Sequence, residues 1–324
     1  MNGSAVRAAV LLPPRDALPA VGGEVAALLS AYVAELAGEP HVELLFLDQH
    51  GPADERARAA REFVMTEQPL ALVASFTEGA DAEIAAVADE LEVPLLATLS
   101  SNPRSSVAPG RWLRDLCGGV VEQACALVRA VEAKNIAMLH TDDAVARRVA
   151  GVEPFDANRV AARDLAGFDA ILLAGPDAAM LHILKEIEPL PAILVAGAAV
   201  PPSVFEHVRP SGGAWVALPA SARDESPAAL TAYLDLVRRY EIPTDHRVSQ
   251  FAALTSLQLF LDALHRCGGD VNRQSLLRAL DQTRAFHSGL LPPLSYGEQR
   301  HIGSTGAWVL PVHAARAVAA VWVE

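Results

Sequence analysis

The sequence predicts an α/β protein of two doubly wound, parallel-sheet lobes with a ligand cleft between them. Three observations carry that prediction. Short apolar runs alternate with amphipathic stretches of helical period from the first residues onward. The alternation breaks at a polar link after Pro103 and then begins again. At 324 residues the chain also exceeds what one ordinary hydrophobic core sustains, which calls for two domains.

Residues 6–12 (VRAAVLL) read as a buried strand ended by Pro13-Pro14-Arg15-Asp16. A helix over 22–37 follows, with Val25, Leu28, Leu29, Tyr32, Val33 and Leu36 on one face and Gly38 as its stop. Residues 41–47 (HVELLFL) form the next strand. An Arg- and Ala-rich helix over 54–67 turns Ala57, Ala60, Phe63 and Val64 inward. Beyond residues 104–110, a helix is expected over 119–133 and a strand over 135–140. A short helix over 143–149, strands over 168–174 and 192–196, and a helix over 177–187 come next. Residues 213–218 read as a strand and 227–240 as a helix. The most apolar helix spans 249–265, with a shorter one over 272–283. The tail differs in kind: 290–296, 307–312 and 317–323 alternate as antiparallel strands do.

The stretch over 70–103, LALVASFTEGADAEIAAVADELEVPLLATLSSNP, organises the first lobe. Strands over 70–74 and 93–97 flank a helix whose apolar face is Ala80, Ile84, Val87, Ala88 and Leu91. A strand–helix–strand unit of this length is a right-handed parallel crossover, so both strands end at one sheet edge. The turns Ser75-Phe76-Thr77-Glu78 and Thr98-Leu99-Ser100-Ser101 therefore lie side by side where open α/β sheets bind ligands. Ser75 and Glu78 also have capping-box spacing, which on its own does no more than start a helix. In the second lobe His140-Thr141-Asp142-Asp143 leaves the first strong strand, and His140 and Asp142 join the candidate ligand residues. For the two aspartates, acidic helix capping at a strand exit is the simpler explanation.

A formal net charge of −13 and a pI near 5.2 argue against nucleic acid or an anionic membrane surface as the partner. No apolar run is long enough for a membrane span. Cys117, Cys125 and Cys267 have no metal-ligand spacing. The ten histidines form no HExxH pair, and GxSxG, P-loop and GxGxxG signatures are missing. No catalytic residue, metal site or cofactor is assigned, so a non-enzymatic binding protein is expected.

Several segments, taken in order, resemble the type I periplasmic binding proteins of the leucine/isoleucine/valine-binding branch and its amide-sensing regulator. They are AAVLLPPRDALPAVGGE, VELLFLDQHGPADERARAAREFV and the 70–103 stretch, followed by LCGGVVEQACALVRAVEAKNIAMLHTDD and QFAALTSLQLFLDALHRCGGDVNRQSLLRALDQT with GLLPPLSYGEQRHIGSTGAWVLPV. The resemblance implies two lobes joined by three crossings, 1–115 plus 245–288 and 116–244 plus 289–324. It places Ser75 and Thr77 at the family's first ligand turn. The Leu99 backbone, Ser100 and Ser101 fall at the second, which in amino-acid binders holds the α-carboxylate and α-ammonium. Three positions depart from the family pattern. Asp142-Asp143-Ala144 replaces a tyrosine, Ser211-Gly212-Gly213 replaces the acid that meets the ammonium, and Ala20-Val21 replaces an aromatic. The stretch near 150–165 reads as shortened.

A buried ammonium without an anionic partner costs several kcal/mol, so a carboxylate or amide is expected rather than an ordinary α-amino acid. The implied role is capture of a small polar metabolite and delivery to an ABC importer permease, in the periplasm after removal of an export signal. The alternatives are a cytoplasmic or receptor-linked sensor of the same fold, and a degenerate interaction module without a ligand.

Overall fold

The computed structural model describes residues 5–16, 19–36, 41–98, 110–141, 143–175, 178–196, 210–312 and 320–324. They form two compact units. The first comprises 1–117 and 222–304, the second 118–221 and 305–324.

The first unit is built on a sheet of β1 (Val6–Leu11), β2 (Val42–Leu47), β3 (Ala71–Ser75), β4 (Leu95–Ala97), β5 (Leu113–Cys117) and β11 (Ile302–Ser304), in the order β11-β5-β4-β3-β1-β2. Every pairing in it is parallel. The central strands read as unbroken apolar runs because both faces are covered. On one face α2 (Ala53–Glu67) and α3 (Asp81–Glu90) bury Ala60, Val64, Ile84 and Ala88 against Leu11, Leu72 and Leu95. On the other, α8 (Arg247–Arg266) lies on β3 and beside α1 (Val21–Glu35). Phe260, Leu257 and Leu28 are fully buried, each contributing about 1.5–3 kcal/mol relative to exposure. Helices α7 (Pro227–Arg239) and α9 (Arg273–Asp281) complete the unit.

The second sheet has the order β13-β12-β10-β9-β8-β6-β7. Its members are β6 (Ile136–His140), β7 (Glu153–Asp156), β8 (Ala170–Ala174), β9 (Ala192–Ala196), β10 (Ala214–Leu218), β12 (Ala307–Pro311) and β13 (Val321–Val323). The pairings of β12 with β10 and with β13 are antiparallel and the rest parallel. Helix α4 (Val120–Ala130) covers one face through Ala124 and Leu127. Helix α6 (Ala178–Leu184) covers the other through Met180 and Leu184. The short α5 (Asp143–Ala146) follows β6.

The structure amends the expected layout in four places. Leu113–Cys117 is a strand directly after the polar link; its charged Arg114 and Asp115 masked it. Residues 150–165 hold β7 and a 3-10 turn over Ala162–Leu165. Residues 290–296 form no strand; only the bridge between Phe286 and Leu294 remains, and β11 pairs parallel to β5. Residues 227–239 and 289–304, expected with the second lobe, lie in the first unit. The reason is visible at Tyr233 of α7, which is 2% exposed, packs edge-on against Phe251 of α8 and donates to Gln250.

Candidate functional site

In a doubly wound sheet, ligands gather at the carboxyl ends of the strands where the strand order reverses. In the first unit that point lies between β1 and β3, whose helices leave on opposite faces. The two strand ends are cross-tied. Phe76 N donates to Leu11 O at 2.9 Å, and Leu11 N meets Ser75 Oγ at 3.4 Å. Just before this, β3 slips register against β4 between Leu72 and Ser75. Ala74 sits there at φ +47°, a conformation an alanine adopts only under strain. Its N–H donates to Ser256 Oγ of α8 at 2.8 Å, which holds the bulge in place.

The sequence-predicted residues take different places around this bulge. Ser75 is fully buried and closes β3; its hydroxyl also donates to Val73 O at 3.2 Å. It caps no helix: α3 begins at Asp81 with Ala80 at its N-cap and no side-chain cap. The Ser75–Glu78 capping box is therefore absent, because the Thr77–Ala80 turn intervenes, with Ala80 N on Thr77 O at 2.8 Å. Phe76 is fully buried. Thr77, 2% exposed, donates its hydroxyl to Asp81 Oδ1 at 2.6 Å. Thr98 donates to Ser75 O at 3.1 Å, and its own N–H meets the same carbonyl at 2.9 Å. Ser75, Phe76, Thr77 and Thr98 are thus brought together. Leu99, Ser100 and Ser101 lie outside the described residues, as does Asp142.

His140 ends β6, beside the order reversal of the second sheet between β6 and β8. It is 5% exposed, with Nδ1 3.8 Å from Asp143 Oδ1. Gly175, at φ +73° where a side chain is disfavoured, turns the chain at the end of β8.

Two polar side chains at the first edge were not legible in the sequence, and a third group there was read only as a member of the turn and its capping box. Gln49, 1% exposed, donates from Nε2 to Leu12 O at 2.6 Å and to Phe76 O at 2.7 Å. Arg56, 4% exposed, donates from Nε to Gln49 Oε1 at 3.0 Å and from Nη1 to Glu78 O at 2.7 Å. The third is the Glu78 carboxyl, pushed up to about 7 by burial first and by Asp81 second, with Arg56 opposing. On β5, Asp115 is 1% exposed and in register with Ala97, itself in register with Ser75. Burial, then Asp224 and Asp115, push the neighbouring Cys117 thiol up to about 12, so it is no thiolate nucleophile at neutral pH. A cavity of about 400 Å³ in this unit is lined by Asp224, Arg223, Ser226, His287, Ser288 and Leu291.

Among the described residues no cluster of three His, Cys, Asp or Glu side chains could hold a metal ion. Among them, too, no helix is long and apolar enough to cross a membrane.

By sequence the chain matches no known family and no curated protein. By structure it superposes on LivK, a leucine-binding protein of Thermotoga maritima, over 99% of both chains with a TM-score of 0.74 at 19% identity. The chain has the fold of the type I periplasmic binding proteins. An extracellular ligand-binding receptor of Rhodopseudomonas palustris shares this periplasmic-binding-protein fold at TM-score 0.72 and 15% identity, covering 99% of this chain and 100% of that one. An ABC transporter solute-binding protein of R. palustris, solved with 4-hydroxybenzoate, does so at 0.69 and 14%, over 99% and 96%.

Proposed function

We propose that the chain is a non-enzymatic solute-binding protein that captures a small polar metabolite by closure of its two lobes and delivers it to an ABC importer in the periplasm. The observation that carries this reading is the fold shared, over nearly its whole length, with a leucine-binding protein and with a solute-binding protein of an ABC transporter. The buried turns at the order reversal of the first sheet support the same reading. In it the ligand is held by the Ser75–Thr77 and Thr98–Ser101 turns, with Leu99 contributing its backbone, and by His140 and Asp142 of the second lobe.

The solute is a carboxylate or amide. The second lobe offers Ser211-Gly212-Gly213 where amino-acid binders carry the acid that meets an ammonium. One observation favours a second reading, an amine-bearing solute: the first unit carries a carboxylate on β5, Asp115, 1% exposed, and another, Asp224, in the lining of the 400 Å³ cavity.

The test is a melting-temperature screen with 4-hydroxybenzoate, glutarate, propionamide, L-leucine and putrescine, because anything that binds only the folded state raises the melting point. A rise with the first three supports the carboxylate or amide reading, and a rise confined to the last two supports the amine reading. No rise with any of them overturns the reading of the Ser75–Ser101 edge as a site for such solutes.

A further inference from the structure

This inference rests on the ligand reading of the β3–α3 turn. The turn is braced by two buried polar side chains from neighbouring elements, Gln49 and Arg56. Gln49, just beyond β2, spends both Nε2 hydrogens on Leu12 O and Phe76 O, so one amide ties the carboxyl ends of β1 and β3 across the order reversal. Its remaining acceptor, Oε1, takes the Arg56 Nε hydrogen, which fixes the orientation of the amide. Arg56 then reaches over the turn through Nη1 to Glu78 O. Two of the turn's carbonyls, Phe76 and Glu78, are thus set by a connected pair drawn from β2 and α2.

Burying a guanidinium is costly, and an apolar pair would fill the same volume without that cost. Burial pulls the Arg56 guanidinium down, opposed by Asp81, Glu78 and Glu83, the charged groups that face it from the turn and from α3. Its Nη2 is buried and meets no acceptor among the described residues. Gly79, at φ +77° where a side chain is disfavoured, turns the chain between Glu78 and α3 beside Arg56.

We propose that Gln49 and Arg56 are positioning residues for ligand binding, which act by fixing the Phe76 and Glu78 carbonyls and hence the path of the turn that meets the solute.

The test pairs amide hydrogen exchange in the free protein with ligand melting shifts, in Gln49→Leu, Arg56→Met and Arg56→Lys. Expected is exchange of residues 76–80 roughly tenfold faster in Gln49→Leu and Arg56→Met, with 71–75 and 120–130 unchanged. Arg56→Met removes two charge-assisted hydrogen bonds at the turn, and Gln49→Leu removes one of these together with two neutral ones. Arg56→Lys keeps the charge but not the planar fork that reaches both acceptors, and recovers part of the protection; it is also the variant to read if Arg56→Met fails to fold. The wild-type melting shift with 4-hydroxybenzoate, glutarate or propionamide should vanish in Arg56→Met and return in part in Arg56→Lys. Wild-type exchange at 76–80 in Gln49→Leu and Arg56→Met overturns the proposal, and so does a melting shift undiminished in Arg56→Met. If none of the probes shifts the wild-type protein, the ligand reading falls, whereas the exchange pattern alone decides whether Gln49 and Arg56 set the turn.

Discussion

Arg114 of β5 donates from Nε to Asp281 Oδ1, at the end of α9, over 2.9 Å. Its Nη2 joins the same carboxylate, and Nη1 donates to Arg111 O and Leu113 O at 2.9 and 2.6 Å. The Arg114 side chain is 2% exposed and that of Asp281 18%. A charged strand is thus made tolerable by a carboxylate 167 residues away.

Removing one member of such a pair leaves the other charge buried and uncompensated, which costs about 3–5 kcal/mol. Asp281→Ala is expected to lower the unfolding free energy of the first unit by about 3 kcal/mol. Chemical denaturation followed by amide exchange in β5 measures it, and a loss below about 1 kcal/mol would show the pair to be dispensable.

Glu78 links stability to pH. Its carboxyl is raised to about 7 in the folded protein, from 4.5 without burial. Between those values the folded state holds a proton that the unfolded chain has lost. Stability is therefore highest below about 4.5 as far as this group is concerned, and falls as pH rises through 7. The full penalty above pH 7 is about 3 kcal/mol. Glu78→Gln is expected to raise the melting temperature at pH 8 and leave it nearly unchanged at pH 4.5. Melting curves across that range check both ends, and a gain of equal size at both would mean that ionisation is not its cause.

Gln250 of α8 sits at the centre of a buried clasp. It accepts from the Tyr233 hydroxyl and donates to Glu24 Oε2 at 2.9 Å and to Pro243 O at 2.7 Å, while His246 Nδ1 meets Glu24 Oε1 at 3.0 Å. Burial pushes the Tyr233 phenol up to about 12, with Arg247 opposing and Glu24 adding to the rise. Gln250→Leu takes the partner from Glu24 Oε2 and from the Tyr233 hydroxyl together and is expected to cost about 2–4 kcal/mol, against about 1 kcal/mol for Tyr233→Phe. Equal losses in urea denaturation would place the clasp's weight on the tyrosine alone.

How far these features were legible in the sequence depends on where their causes lie. Strands such as AILLA over Ala170–Ala174 and AILVA over Ala192–Ala196 are buried on both faces and announce themselves by composition. The strand Leu113–Cys117 does not, because its partner charge comes from Asp281, far along the chain. Ser75 with Glu78 fits a capping box by spacing, yet the main-chain pairing of β3 claims Ser75 before the helix can begin. Arg56 stands among Asp54, Glu55 and Arg58, off the apolar face that the sequence assigns to its helix; its bonds to Gln49, just beyond β2, and to Glu78 O account for its place inside. The position of the edge was readable from topology, but the side chains that set its geometry were not.

The division of the chain also has a consequence for synthesis. The middle segment, 118–221, lacks only β12 and β13 at one edge of its sheet. The first unit, begun earlier, keeps one face of β3 bare until α8 has been made, and lacks the last strand of its sheet until residue 304. A chain emerging from the ribosome therefore brings its later unit near completion first, and carries an exposed apolar sheet face through most of translation. Such a face favours aggregation, so the vulnerable interval for this protein is its own birth.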